Sequence, residues 1–348
     1  MAMISRKKVP FKVTGLLKDF LEQYNRISPI SIQYEDMRRY EEAIPLYDSE
    51  GEDTLWLTVI YNPYDRESIH QSLKKIYATL KVDGNIDLLE HLYIDRVDLC
   101  AYGNTQPFRV RVVNRINDNF DYFYIKVADA SRVYGLELED ILSPNRVNYL
   151  VSEQTLIEEH IAGIPGDMFI NNYLEDGRQN KIRLAKEFIK FNERCFAQLL
   201  GDMHSSNFVV NMIPDFDEIN YRIRSIDFDQ QCYEGRKNIY FPQFYKQNMP
   251  IIELGLGKIS PESQQQYQAE ERFMIANRFT ASGHKVKDLL EVMRQDHLSP
   301  KENVVSLRKD LAEHYNHQGY LKCDNMGEIM TEHLEFLLKT AKKYKKVK

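Results

Sequence analysis

Glycine is scarce in this sequence, and the scarcity limits the kinds of phosphate-binding loop that the chain can form. Glycine accounts for 15 of the 348 residues, or about 4%, whereas globular proteins average roughly 7%. No Gly-x-Gly-x-x-Gly segment occurs, which excludes a glycine-rich loop of the kind that covers nucleotide phosphates in many enzymes. If the protein binds phosphate groups, it must do so with a loop that has few glycines.

Cysteine pairs, long apolar runs and an excess of basic residues are also lacking. Cys100, Cys195, Cys232 and Cys323 form no Cys-x-x-Cys pair, which favours reduced thiols. The best apolar run, Thr54–Tyr61, has the length of a strand, so we expect no membrane span. The 46 Lys and Arg against 52 Asp and Glu give no basic excess, so we expect no nucleic-acid partner. No apolar segment follows the N-terminal basic residues, which indicates a cytoplasmic protein without a secretory signal.

The hydrophobic pattern changes along the chain and predicts three segments. Residues 1–90 are expected to form an N-terminal α/β extension, residues 91–162 a small antiparallel sheet with one helix, and residues 163–348 a mainly helical domain. The predicted elements are a strand at Asp53–Asn62, a helix over Arg66–Val82, three strands between residues 93 and 128, a helix over Ala130–Leu142, strands near Val147–Val151 and Thr155–Ile161, a helix over Lys181–Leu200 and an alternating stretch from Phe208 to Asp229. This order predicts an α+β fold.

Two short polar segments in the third predicted segment carry the residues best suited to chemistry. The first, GDMHSSNFVV, spans Gly201–Val210, and the second, SIDFD, spans Ser225–Asp229 after a predicted hairpin. Phosphoryl transfer needs a carboxylate near the attacking hydroxyl, and acid and amide oxygens that hold Mg²⁺ against the phosphates. Asp202, Asn207 and Asp227 supply this set of groups. Their alternative role is that of ordinary turn and helix-cap residues.

GDMHSSNFVV followed by IDFD resembles the catalytic and metal-binding loops of the protein-kinase-like superfamily. The likeness is greatest to the aminoglycoside and choline phosphotransferases, whose loop has the form Gly-Asp-x-His-x-x-Asn; phosphoinositide-type lipid kinases have a similar loop. The resemblance implies a bilobal kinase-like fold. It also implies that Asp202 is the catalytic base and that Asn207 and Asp227 hold Mg²⁺ with Asp229 beside them. His204 would orient Asp202 or contact phosphate.

The same resemblance extends upstream to a lysine and a glutamate. The three strands predicted between residues 93 and 128 form an antiparallel meander, and Lys126, near the end of the third, corresponds to the lysine that holds the α- and β-phosphates of ATP. Its alternative role is that of an exposed lysine at a sheet edge. The partner glutamate would lie on the next helix, where Glu137 and Glu139 compete. The apolar stripe of that helix leaves Glu137 nearer the buried side.

A turn and a hinge complete the nucleotide site that the resemblance implies. Gly103 and Asn104 would form the turn that faces the phosphates, with backbone N–H groups in place of a glycine-rich loop. Glu159 and Ile161 would belong to the hinge whose backbone pairs with adenine. The sequence departs from the family at Leu200, where the small-molecule kinases usually have histidine.

These residues lead to the expectation of a kinase that transfers phosphate from ATP, with Mg²⁺, to a hydroxyl group of a small molecule. The sequence does not distinguish an aminoglycoside, choline-like, sugar or amino-sugar acceptor. The alternative is a pseudokinase, a nucleotide-binding or scaffold protein without transfer activity. Leu200 and the glycine-poor turn favour that alternative, whereas the intact Asp202, Asn207 and Asp227 disfavour it. A protein kinase is less favoured, because no Ala-Pro-Glu segment follows Asp227.

Overall fold

A computed structural model describes residues 8–82, 90–103, 105–175, 180–216 and 218–345, and the chain divides into two compact units. We call them the sheet unit, which comprises Leu21–Asp129 and Val147–His160, and the helical unit, which comprises Met1–Phe20, Ala130–Arg146 and Ile161–Lys348. Each unit is built from separate stretches of sequence, so neither could be recognised from a continuous segment.

The sheet unit is a seven-stranded sheet with helices. Its strands are β1 (Glu42–Tyr47), β2 (Asp53–Ile60), β3 (Leu92–Leu99), β4 (Phe108–Asn114), β5 (Phe120–Val127), β6 (Tyr149–Ser152) and β7 (Thr155–Glu159). Its helices are α2 (Tyr34–Met37) and α3 (Pro63–Val82), and α1 (Gly15–Gln23) contains residues of both units. The strand order is β1-β2-β3-β4-β5-β7-β6, and every neighbouring pair is antiparallel.

Strand alternation places one face of this sheet in an apolar core. Val110 on β4 and Phe123 and Ile125 on β5 are fully buried, and they belong to the same core cluster as Leu73 and Ile76 of α3. Burial of aliphatic and aromatic side chains of this size stabilises the unit by about 1.5–3 kcal/mol each. The predicted meander between residues 93 and 128 is confirmed as β3, β4 and β5.

The structure divides the chain at different places from the three predicted segments. Residues 1–90 do not stand apart, because β2 pairs with β3 through Leu57 opposite Leu99 and so extends the same sheet. The helix over Ala130–Leu142, predicted to lie with the sheet, clusters with the helical unit instead. Both differences have the same cause. Contacts between elements that are distant in sequence leave no pattern within either sequence segment.

The helical unit contains eight helices from α4 to α11 and a three-stranded sheet, within the part of the chain that the structure describes. The helices are α4 (Ala130–Leu142), α5 (Gly166–Asn172), α6 (Lys181–Gln198), α7 (Met249–Gly255), α8 (Pro261–Ala281), α9 (His284–Gln295), α10 (Lys301–Tyr315) and α11 (Met326–Lys345). The strands are β8 (Ile164–Pro165), β9 (Phe208–Asp215) and β10 (Glu218–Ser225), in the order β10-β9-β8. Short 3₁₀ helices lie at Ser205–Asn207, Lys237–Tyr240, Pro242–Phe244, Lys246–Asn248 and Gln318–Lys322.

Two helices of this unit, α6 and α4, position the polar segments Gly201–Val210 and Ser225–Asp229. α6 begins at the cap residue Asn180, whose side chain accepts a hydrogen bond from the Arg183 N–H. It ends where Leu199 adopts a left-handed conformation, with φ of 52°, which turns the chain into the Gly201–Val210 segment. α4 is buried along almost its whole length because it packs against other helices of the unit, and Tyr134 Oη donates to Asp296 at 2.9 Å.

The sequence predicts neither a membrane span nor disulfide bonds. None of the helices described here has the length and apolar character needed to cross a membrane. The four cysteines all lie in the described ranges and are free thiols, as predicted.

Candidate active site

The hairpin formed by β9 and β10 brings the two polar segments of the sequence together. Its last registered pair is Phe208 with Ser225, so Asn207, directly before β9, lies beside the residues that follow β10. The Ile226 N–H donates a hydrogen bond to the Asn207 carbonyl at 3.0 Å. Antiparallel pairing thus places Asp227 near Asn207, although a whole hairpin separates them in sequence.

A second set of backbone contacts joins the beginning of the first polar segment to the end of the second polar segment. Leu200 and Gln231 form an isolated antiparallel bridge, and the Gly201 N–H donates to the Gln230 carbonyl at 3.3 Å. Asp202 lies just after this bridge and Asp229 just before it. The bridge and the hairpin together therefore gather the acidic residues of both segments in one place.

The loop from Asp202 to Asn207 is held by hydrogen bonds to the Asp202 backbone. Asp202 has a left-handed conformation, with φ of 61°, which aspartate adopts more readily than most residues other than glycine. Its N–H donates to Tyr245 Oη at 3.0 Å, and its carbonyl accepts from Asn207 Nδ2 at 2.8 Å. Because the Asn207 amide nitrogen faces this carbonyl, the amide oxygen is directed away from it.

The Asp202 carboxyl group has a pKa raised to about 7. Burial is the main cause, because it disfavours the charged form, and the negative charges of Asp227, Glu234 and Asp229 act in the same direction. A carboxyl group with this pKa is partly ionised at neutral pH. It is therefore suited to accept a proton from a hydroxyl group and to release it again.

His204 lies beside Asp202 as a neutral side chain. Burial lowers its pKa, although Asp227 and Asp167 act in the opposite direction. Its Nδ1 accepts a hydrogen bond from the Ser206 N–H at 3.3 Å, which places the proton of the neutral ring on Nε2. Nε2 lies 3.9 Å from Asp202 Oδ1, too far for a hydrogen bond but close enough for a small side-chain rotation to form one.

Asp227 and Asp229, which we call the acidic pair, share one arginine. Arg132 of α4 donates from Nη1 to Asp227 Oδ1 at 2.8 Å and to Asp229 Oδ1 at 2.9 Å. Its Nη2 donates to the Ile226 carbonyl at 3.2 Å. Lys8 adds a second positive charge, since its Nζ donates to the Asp229 carbonyl at 2.6 Å. The acidic pair is thus partly neutralised by the protein itself.

The donor atoms at this site fit Mg²⁺ in chemical type. Asn207 supplies an amide oxygen, and the acidic pair supplies carboxylate oxygens, the ligands that Mg²⁺ prefers. In the described ranges, no group of three His, Cys, Asp or Glu side chains is arranged to hold a metal ion, and this site would combine an amide with only two carboxylates. A cation here would have to bind beside the Arg132 guanidinium.

Lys126 and Glu137 each have a different partner from the one that the resemblance implies. In the sheet unit, Lys126 is buried on the interior strand β5, and its Nζ donates to Glu158 Oε2 of β7 at 2.7 Å. In the helical unit, Glu137 Oε2 lies 2.7 Å from Lys285 Nζ. Glu139 accepts hydrogen bonds from Asn145 and Gln198. The lysine is therefore not an exposed edge residue, and a strand glutamate pairs with it.

The Lys126–Glu158 pair follows from the register of β5 and β7. Tyr124 lies opposite Glu158, and Lys126 lies opposite Leu156. Residues in alternate positions of neighbouring strands share a face, so the lysine and the glutamate meet diagonally. Sequence alone gives no register, which explains why Glu158 was not predicted.

Glu158→Gln is expected to destabilise the chain by about 2 kcal/mol, because the buried Lys126 ammonium would lose a charged acceptor. Urea unfolding measures this change. Glu153→Gln, at an exposed position on the β6–β7 turn, is the matched control and should alter stability by less than about 0.5 kcal/mol. Equal stabilities of the two variants would show that the pair contributes nothing.

The predicted turn and hinge use their backbone groups within the sheet unit. The Gly103 N–H donates to the Cys100 carbonyl at 3.3 Å, and the Gly103 carbonyl accepts from the Gln106 N–H at 3.1 Å. Asn104 lies outside the described residues. In the hinge, the Glu159 N–H donates to the Asn148 carbonyl at 3.0 Å. Ile161 is buried and is the first residue of the helical unit after the hinge.

Three residues that contact the site give little signal in the sequence. Arg132 and Lys8 are distant in sequence from the acidic pair, and no local motif connects them with it. Tyr245 stands in an aromatic run that core packing explains equally well. Arg132 stands on a helix that also carries acidic residues, so its charge alone did not indicate a contact outside the helix.

Comparisons with known structures include two protein kinases of low similarity. The structure of titin kinase and its flanking domains is 14% identical, with a TM-score of 0.27, over 70% of this chain and 54% of that chain. The autoinhibited serine kinase domain of the giant muscle protein titin is 12% identical, with a TM-score of 0.28, over 70% of this chain and 92% of that chain. The present chain thus spans about half the length of the first of these structures.

No protein-family model matches the chain, and no curated protein matches it. Because these similarities are low, the function of the protein has to be inferred from the residues of this chain.

Proposed function

We propose that the protein is an ATP- and Mg²⁺-dependent phosphotransferase of protein-kinase-like fold that acts on a hydroxyl group of a small molecule in the cytoplasm. The observation that carries this proposal is the junction of the two polar loops, where Asn207 Nδ2 donates to the Asp202 carbonyl at 2.8 Å and the hairpin sets Asp227 beside them. A base and an oxygen-rich cation site in one place are what phosphoryl transfer requires.

Asp202 is the group proposed to accept the proton of the acceptor hydroxyl. Its raised pKa, about 7, matches the proton affinity that a general base needs near neutral pH. Tyr245 and Asn207 bond to the Asp202 backbone on both sides, so the backbone that carries the carboxylate is held in place. Holding reacting groups in place supplies much of the rate enhancement in such reactions.

Asn207 and Asp227, with Asp229 beside them, would hold Mg²⁺, and Lys126 would hold the phosphates. Bound Mg²⁺ neutralises phosphate charge and orients the transferred group. Glu158 would fix the Lys126 ammonium in place of the helix glutamate found in the resembled family. The Gly103 turn contributes less to this proposal, because its N–H group is already engaged within the turn.

A thermal-shift screen of ATP and GTP, each with and without Mg²⁺, tests the nucleotide part of this proposal. A ligand that binds only the folded chain stabilises it by about 2.7 kcal/mol at 100 times its Kd. We expect ATP with Mg²⁺ to raise the melting temperature by several degrees and Mg²⁺ alone to raise it less. No shift with any nucleotide at millimolar concentration would contradict the proposal.

A second candidate function is nucleotide binding without transfer, as in a pseudokinase. The observation that favours it is the bond of Arg132 to both carboxylates of the acidic pair, which leaves less negative charge for a cation. The two functions differ in one measurable respect. Nucleotide binding without phosphate transfer to any acceptor would favour the second.

A further inference from the structure

We propose that Arg132 fills one cation position of the acidic pair permanently, so that the site binds one divalent cation. The inference rests on the proposed function, since it concerns the same carboxylates. Protein kinases hold two Mg²⁺ with comparable residues. In this chain, a guanidinium is already bonded to Asp227 and Asp229.

The contacts of Arg132 are those of a fixed group and not of a mobile surface side chain. The Arg132 side chain is 3% exposed, and it donates hydrogen bonds to two carboxylates and to the Ile226 carbonyl. Guanidinium stays charged at every accessible pH. Removal of this buried cation would take away the charge that bonds to both carboxylates, an unfavourable change for the pair.

The position of the positive charges disfavours a second divalent cation on the Asp229 side. Arg132 Nη1 donates hydrogen bonds to Oδ1 of both acidic residues, and Lys8 Nζ lies 2.6 Å from the Asp229 carbonyl. A divalent cation bound beside both groups would meet two like charges. The Asn207 amide oxygen, directed away from the Asp202 carbonyl, points to Asn207 and Asp227 as the ligands of the single cation.

Manganese titration followed by electron paramagnetic resonance measures the stoichiometry without any enzymatic assay. With Mn²⁺ as the probe, we expect one bound ion per wild-type chain. Arg132→Gln should bind two, because the guanidinium charge beside both carboxylates is removed, and Arg132→Lys, which keeps the charge, should still bind one. Arg308→Gln removes an arginine that bonds to the Cys323 carbonyl and serves as a control that should bind one.

Two Mn²⁺ per wild-type chain, none, or one in both wild type and folded Arg132→Gln would each overturn the inference. If Arg132→Gln does not fold, the wild-type stoichiometry and that of Arg132→Lys decide the question. The proposed function fails separately. A wild-type chain that binds one Mn²⁺ but transfers no phosphate supports the inference and refutes the proposed phosphotransferase activity. An active chain that binds two Mn²⁺ refutes only the inference.

Discussion

Asp202→Asn is expected to lower the rate of phosphate transfer about 10²–10⁴-fold at pH 8, the range found when a general base is removed. Asparagine preserves the size of the side chain and the backbone bonds to Tyr245 and Asn207, but it cannot accept the proton of the acceptor hydroxyl. The measurement is kcat/KM for wild type and variant with the same acceptor.

The pH dependence of the wild type gives an independent check on this role. Asp202 must be ionised to act as a base, and its pKa is raised to about 7. The activity of the wild type should therefore rise with pH through about 7 and level off above it, whereas the residual activity of Asp202→Asn should lack this rise.

Asp215→Asn is the matched control for Asp202→Asn. It changes an exposed aspartate on the β9–β10 hairpin that accepts a hydrogen bond from Asn220, and it should keep nearly full activity. If Asp202→Asn retained as much activity as Asp215→Asn, Asp202 would not be the base.

Gly166→Ala is expected to destabilise the chain by about 2–3 kcal/mol and to lower activity, because there is no room for a methyl group. A Cβ atom at Gly166 would lie 2.4 Å from the Ser205 carbonyl oxygen and 2.4 Å from the Phe208 ring. Ser205 is the first residue of the 3₁₀ helix that carries Asn207, and Phe208 follows that helix. Relief of the clash would move this helix, and with it the Asn207 amide.

The link between α5 and the Asp202–Asn207 loop strengthens this expectation. Ser206 Oγ donates to Asp167 Oδ2 at 2.7 Å, so α5 and the loop are also joined by a hydrogen bond. Gly255→Ala is the control, since a Cβ atom there would meet the Ala185 methyl group at an ordinary 3.5 Å. Urea unfolding and activity should separate the two variants, and similar results for both would show that close approach at Gly166 is not required.

The local elements of the fold could be predicted from sequence because their signals are local. The helix over Ala130–Leu142 has the predicted bounds, since its apolar stripe is followed by Ser143-Pro144, which ends it. The alternating stretch after Phe208 is the β9–β10 hairpin. The spacing of Asp202, Asn207 and Asp227 predicted their proximity because a hairpin returns the chain to its starting point.

The partners of charged residues could not be predicted, because each depends on contacts across long distances in sequence. Glu158 reaches Lys126 only through the register of β5 with β7. Arg132 reaches the acidic pair because α4 belongs to the helical unit, and helix packing of this kind leaves no pattern in either segment. The same holds for β2, whose pairing with β3 joins residues 57 and 99.

The release of ADP from ATP, measured with Mg²⁺ and a panel of aminoglycosides, choline-like alcohols, sugars and amino sugars, tests the central claim most directly. We predict acceptor-dependent ADP release by the wild type at pH 8, with a matching amount of phosphorylated acceptor, and its loss in Asp202→Asn and Asp227→Asn. Acceptor-dependent release that persisted undiminished in both folded variants would contradict the assignment of Asp202, Asn207 and Asp227 as a phosphotransfer site.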